Sequence, residues 1–315
     1  MIEVIPPVER ELIRRELTRE KLLRETNNAG NELYVITSHD SPNTMQEIGR
    51  LRELTFRAAG GGTGKEVDID KYDTIENPYK QLLVWDPVEK EILGGYRFHL
   101  CKEIGLDKDG KAQIATAKLF DFSDKFINEY LPYTIELGRS FVQPAYQSTQ
   151  KSKKGLFALD NLWDGLGAIW INNPEYKYYF GKVTMYTSYE PEARNLILYF
   201  FKKHFWDNEG IITPFVPLDT KMDEEKMASI LTASSFQDDL KILSHEVRAR
   251  GEVIPPLINA YVNLSPTLRC FGTVMNDSFG EVEETAIMVT VSDIYQAKSE
   301  RHFNSYIAWK EKTGL

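Results

Sequence analysis

The chain has 315 residues, with 47 acidic residues against 38 Lys plus Arg and a net charge of -9. That balance excludes a general nucleic-acid binder, which presents a broad basic face. Apolar residues at 42% and charged residues at 27% exclude a disordered chain and leave enough apolar mass for a sizeable core. Aromatics reach 12%, with 16 Tyr and 16 Phe, which fits apolar pockets. The start, Met1 to Pro7, lacks a basic and then apolar pattern, so no signal peptide is expected. No apolar run approaches the roughly 20 residues of a membrane span. A cytoplasmic protein is expected, with a peripheral membrane contact left open. Cys101 and Cys270 have no redox or metal spacing and read as reduced, buried thiols.

In chain order, Val8–Thr26 reads as a charged helix, with Leu12, Ile13, Leu17, Leu22 and Leu23 at helical intervals. It either packs on the body of the protein or touches a membrane surface. Asn27 to Asn31 breaks it, which predicts an N-terminal extension over 1–30 and a main domain over 31–315. A strand is predicted at Glu32–Thr37 and a helix at Thr44–Ala58. Strands follow at Lys80–Trp85 and Glu91–Leu100, joined at Asp86-Pro87, with a hairpin tip near Asp109-Gly110. Tyr133–Val142 reads as a strand, Leu156–Ile171 as a long amphipathic helix, Tyr178–Tyr186 as a strand and Pro191–Phe205 as a helix. Two or three helices fill Asp223–Val262. Strands at Leu268–Met275 and Glu284–Val291 close the pattern. The order is that of an α/β protein with a mixed sheet, flanking helices and a helical C-terminal insert.

Several motifs fail on inspection. Ala59-Gly-Gly-Gly-Thr-Gly-Lys-Glu66 imitates a phosphate loop but has Ala59 at the first position and Glu66 after the lysine. His204 with Glu209 imitates an acyltransferase His-x4-Asp but lacks the aspartate. The five histidines form no ligand set, so no metal site is expected. What remains is a spaced set of charges. Arg52 precedes Phe56 by four on one helix face, and Asp70 and Asp73 bracket Tyr72. Arg97 lies inside one apolar strand, and Glu136 and Arg139 inside another. Charges inside apolar strands are costly unless paired. A structural ion-pair network or a catalytic site satisfies that cost equally well.

The stretches Leu51-Arg52-Glu-Leu-Thr-Phe56, Asp68-Ile-Asp70-Lys-Tyr-Asp73, Leu82-Leu-Val-Trp-Asp86, Gly94-Gly-Tyr-Arg97 and Glu136-Leu-Gly-Arg139-Ser140 resemble two related groups. One is the acyl-homoserine-lactone synthases. The other is the acyl-carrier-protein-dependent N-acyltransferases that make ornithine or glycine lipids, often labelled hemolysin-like. The likeness to the second group extends through Ser140 to Tyr146, Leu162 to Leu166, Tyr179 to Met185 and Ile254 to Tyr261. It covers roughly residues 45 to 295. Lactone synthases carry Trp six residues after the Phe, where this chain has Gly62, which favours the second group.

The resemblance implies the GNAT acyltransferase fold and transfer of a long acyl chain, 3-hydroxylated chains included. The donor would be acyl carrier protein, with acyl-CoA as the alternative. The acceptor would be the amino group of glycine or ornithine, and the product an aminolipid precursor. Glu136 is the implied base, with Arg139, Asp70 and Asp73 in the catalytic set and Arg97, Arg52 and Phe56 around the acceptor. Backbone near Phe141, Val142 and Gln143 would stabilise the developing oxyanion. Lys151, Lys153, Lys154 and Gly155 precede a helix and would hold the donor phosphate and an acidic carrier protein. Tyr186 and Tyr189 are candidates for the general acid. Other readings are a CoA-dependent acetyltransferase, a lactone-synthase-like enzyme and a non-catalytic protein on the same fold.

Overall fold

The computed structural model describes residues 2–147 and 153–314, and only the backbone of 153–156. The strands are β1 (Leu22–Glu25), β2 (Glu32–Ile36), β3 (Lys80–Asp86), β4 (Glu91–Leu100), β5 (Phe120–Phe122), β6 (Thr134–Val142), β7 (Tyr178–Tyr186), β8 (Ile212–Pro214), β9 (Arg269–Asn276) and β10 (Val282–Thr290). The helices are α1 (Arg10–Glu16), α2 (Pro42–Ala58), α3 (Lys71–Thr74), α4 (Lys153–Asn172), α5 (Pro191–Phe205), α6 (Glu224–Ile230), α7 (Phe236–Ala249), α8 (Pro256–Val262), α9 (Gln296–Ser299) and α10 (Ser305–Thr313).

Two compact units interleave along the chain. The first comprises Met1–Glu103, Tyr133–Lys177 and Tyr295–Leu315, and the second Ile104–Pro132 and Tyr178–Ile294. In the first, strands run in the order β1-β2-β3-β4-β6, each pair antiparallel. β3 and β4 are almost wholly buried, as their near-continuous apolar sequence demands. Helix α4 packs closely on this sheet, because Gly165 leaves room for the Leu82 side chain, which a Cβ would meet at 2.6 Å. Gly167 makes the same allowance for Phe303. Burying a side chain such as Leu82 contributes about 1.5–3 kcal/mol.

The N-terminal segment departs from expectation. The helix stops at Glu16, and Leu22–Glu25 forms an edge strand on β2 rather than a continuation. The reason is local. The Glu16 carboxylate accepts from the N–H groups of Asn43 (3.0 Å) and Thr44 (2.7 Å), the unsatisfied donors at the start of α2. The first unit, which begins with Met1–Glu103, includes this segment. The break at Asn27 is also tied down. Asp164 on α4 accepts from Asn27 N–H at 3.0 Å and Nδ2 at 2.7 Å, and lies 2.7 Å from His302 Nδ1. His302 belongs to a C-terminal helical stretch that the strand pattern in the sequence gave no reason to expect.

The second unit has the antiparallel order β7-β10-β9 and a small β5–β8 ribbon. An isolated parallel bridge joins Trp206 and Cys270. Helices α6, α7 and α8 fill the segment read as a helical insert. His204 has a structural role here. Its Nε2 lies 2.7 Å from Asp239, which also takes Lys203 at 2.6 Å and the Ala233 N–H at 2.8 Å. Cys101 and Cys270 are buried free thiols, one in each unit. Among the described residues no helix is long and apolar enough to cross a membrane.

Candidate active site

The charges singled out in the sequence converge in the first unit. Asp70 caps the short helix α3. Its side chain accepts from Tyr72 N–H at 2.9 Å, while Asp73 accepts from the Asp70 N–H at 3.0 Å, a reciprocal capping box. That turn aims both carboxylates at three arginines from α2, β4 and β6. Arg52 Nη1 is 3.4 Å from Asp73 Oδ1, and its Nη2 donates to Gln81. Gln81 in turn donates to Asp73 at 2.9 Å. Arg97 Nη1 reaches Asp70 Oδ1 at 2.8 Å and Asp73 Oδ2 at 3.3 Å. Arg139 Nε is 2.7 Å from Asp68 Oδ2, and its Nη2 is 3.7 Å from Asp70 Oδ2. Three buried or half-buried arginines therefore face three aspartates, the pairing that buried charge requires.

Burial alone would raise the Asp70 carboxyl, but Arg97 first and then Arg139 outweigh it and hold it at about 2. Asp73 is also held below the usual carboxylate range. Burial opposes that shift, and Arg52 and Arg97 overcome it. Arg52 and Arg97, expected around the acceptor, lie in the interior of this cluster. Their side chains are only 1% and 4% exposed, and both head groups serve the aspartates. Asp73 is likewise enclosed. Phe56 lies buried near the C-terminal end of α2. Arg139 is the most exposed of the three arginines, at 12% of its side chain.

Arg139 also sits on unusual backbone. Along β4 and β6, Gly95 opposes Phe141 and Arg97 opposes Gly138, so β6 spends three residue steps where β4 spends two. The extra residue makes a β-bulge, and Arg139 occupies it at φ +51°. A non-glycine residue there costs roughly 1–2 kcal/mol. The bulge turns the Arg139–Ser140 backbone out of the regular ladder.

The residues downstream lie against β4. The Gln143 N–H donates to Leu93 O at 2.9 Å and its Nε2 to Ile92 O at 2.6 Å. Phe141 is buried, with its ring on Gly95, and Val142 is half-buried opposite Gly94. Lys151 lies outside the described residues, as do the side chains of Lys153 and Lys154. The backbones of these two lysines and of Gly155 form the first turn of α4.

Glu136 is buried on β6, directly opposite His99 on β4. Its Oε2 accepts from the Tyr79 hydroxyl. Tyr79 and His99 were not singled out in the sequence. Only the alternation of β4, which puts Gly95, Arg97 and His99 on one face, pointed toward the histidine. The phosphate-loop imitation is accounted for as well. Glu53 accepts from Thr63 N–H at 3.0 Å and Gly64 N–H at 2.8 Å, filling the loop with a carboxylate. Gly62, in place of the lactone-synthase Trp, has φ +98°, where side chains are strained. Among the described residues no group of His, Cys, Asp or Glu is arranged to hold a metal ion.

The sequence profile of the acetyltransferase (GNAT) domain matches residues 51–154, the stretch that holds this cluster. The fold and site thus define an acyltransferase of the GNAT type. The chain is 56% identical over 307 residues to a glycine N(alpha)-acyltransferase of Phocaeicola vulgatus, covering 98% of this chain and 94% of that protein. It is 54% identical to the glycine N(alpha)-acyltransferase of Bacteroides thetaiotaomicron, covering 98% and 91%. The chain belongs to the glycine N(alpha)-acyltransferase family and is an N-acyltransferase. Among solved structures, the acyl-homoserine lactone synthase LasI aligns over 88% of this chain and 96% of its own, at 10% identity and a TM-score of 0.40.

Proposed function

We propose that this enzyme joins a long acyl chain to the amino group of glycine, giving an N-acylglycine that serves as an aminolipid precursor. Glycine as acceptor is supported by the activity named for both relatives. The observation that carries the chemistry is Glu136, a carboxylate held by a phenol on the strand whose bulge bears Arg139. Glycine arrives as a zwitterion. Glu136 takes a proton from the ammonium, directly or through water. The freed nitrogen attacks the thioester carbonyl carbon, and charge builds on its oxygen. Backbone N–H groups of β6 meet that charge, the role the resemblance gives to the stretch around Phe141 and Val142. The C–N bond forms, the C–S bond breaks, and the leaving thiolate takes up the second proton, which the nitrogen sheds as it becomes an amide. Arg139, rigid and partly exposed, holds the glycine carboxylate, while Arg52, Arg97, Asp70 and Asp73 set its position.

Acyl carrier protein is the proposed donor and partner, with acyl-CoA as the alternative thioester. In sequence, Lys151, Lys153 and Lys154 put positive charge on the stretch leading into α4, and helix N–H groups at its start favour a phosphate. A panel of amino acids offered with both thioesters tests this reading by mass spectrometry of the products. Glycine with acyl carrier protein thioester is expected to give the highest kcat/KM. Preference for ornithine by tenfold or more would reassign the acceptor.

A further inference from the structure

Tyr79 is wired into the site at every point. Its N–H donates to Tyr72 O at 2.8 Å and its carbonyl accepts from Gln81 Nε2 at 3.1 Å, so its backbone hangs on the turn that presents Asp70 and Asp73. Its ring stacks on His99 (centroids 4.6 Å apart, planes 16° apart), with the Arg97 guanidinium 5.1 Å from its centre and Tyr72 meeting it edge-on at 5.5 Å. Its hydroxyl donates to Glu136. The groups facing it keep that donation one-directional. Burial, and then the charge of Glu136, push the phenol well above its ordinary range, so Tyr79 keeps its proton. Burial, assisted by Lys80, lowers His99 to about 4, which leaves a neutral imidazole. Cys101, whose Sγ lies 3.8 Å from His99 O, is pushed up by burial and stays a thiol. Arg97 is the cation on this side, and its head group is taken by Asp70 and Asp73.

We propose that Tyr79 is a positioning residue for acyl transfer: its hydroxyl fixes the Glu136 carboxylate, and its backbone and ring make that orientation depend on the Asp–Arg cluster. This rests on the reading of Glu136 as the base. The terminal torsion of a glutamate is broad, so a carboxylate on a strand samples many orientations. A donor clamped to one oxygen fixes the plane of the carboxylate that takes the proton. Geometry of this kind is where a small misplacement costs large factors in rate.

Tyr79→Phe keeps the ring contacts and deletes the donor. The expected result is a fall in kcat of about 10- to 100-fold with KM for glycine within about twofold. In the double variant with Glu136→Gln the second loss disappears, since Tyr79 acts through Glu136. Wild-type kcat, or fully additive losses, would overturn the proposal. If Tyr79→Phe does not fold, 3,5-difluorotyrosine at position 79 preserves the hydroxyl and strengthens it as a donor. Its kcat is then expected to stay near the native value, and a loss of about tenfold or more with the donor retained counts against the proposal. Full activity in Glu136→Gln would remove the base itself. A dead Glu136→Gln beside a wild-type Tyr79→Phe would remove only the role given to Tyr79.

Discussion

At the scale of single residues, the candidate site is a matter of which charges are spent. Asp73 is surrounded by Arg52, Arg97, Gln81 and the Asp70 N–H, whereas Glu136 is held by a phenol. Sequence spacing identified all of these charges except their partners Asp68, Gln81, Tyr79 and His99. An aspartate or tyrosine in a loop carries no periodicity, and its role comes from the fold that brings position 79 to position 136. The depressed Asp70 carboxyl has a consequence for stability. Its folded value of about 2 lies below the ordinary 3.8, so its contribution is complete above pH ~4 and is lost as pH falls toward 2. Melting temperature measured from pH 5 to pH 2 is expected to fall across that window. In Asp70→Asn part of the acid slope disappears, because no carboxyl remains there to protonate. An unchanged slope would show that Asp70 is not held down in the folded state.

Elements were more legible than their ends. The strands β7 and helix α5 have the bounds their sequence predicts, because Pro191 and the alternation of Tyr178–Tyr186 leave no competing pattern. The N-terminal segment misled, since Leu12, Ile13 and Leu17 keep a helical period that Leu22 and Leu23 extend only by coincidence. Pairing with β2 outweighs that preference. The bulge in β6 was also hidden, because an extra residue alters register without altering composition. Register at that bulge depends on Gly94, where an added Cβ would lie 2.5 Å from Phe141 O. Gly94→Ala is therefore expected to destabilise the fold by about 1–3 kcal/mol and to reduce activity further, by shifting Arg139. Denaturant unfolding alongside kcat tests this. Wild-type stability would mean that β4 and β6 can separate without cost.

For the whole molecule, the net charge of -9 excludes a broad anionic partner, yet an acidic carrier protein is the donor proposed above. The two agree when contact is confined to a small basic patch. Lys153→Glu with Lys154→Glu should raise KM for acyl carrier protein about tenfold at low salt and leave KM for glycine unchanged. An unchanged KM for the carrier protein would move the donor site elsewhere. The interleaving of two units at Glu103, Tyr133 and Tyr178 could not be read from composition, which does not change at those points. The family, by contrast, was legible from ordered motifs, and close relatives agree with it over 98% of the chain. The account turns on one reaction at one carboxylate. Its most direct test is the rate of N-acylglycine formation, with thiol release measured in the same tube, for the native enzyme and folded Glu136→Gln. The native enzyme should release one thiol per N-acylglycine, and the variant should be slower by about 100-fold or more. N-acylglycine formed by the variant at the native rate, or thiol release by the native enzyme without N-acylglycine, would contradict it.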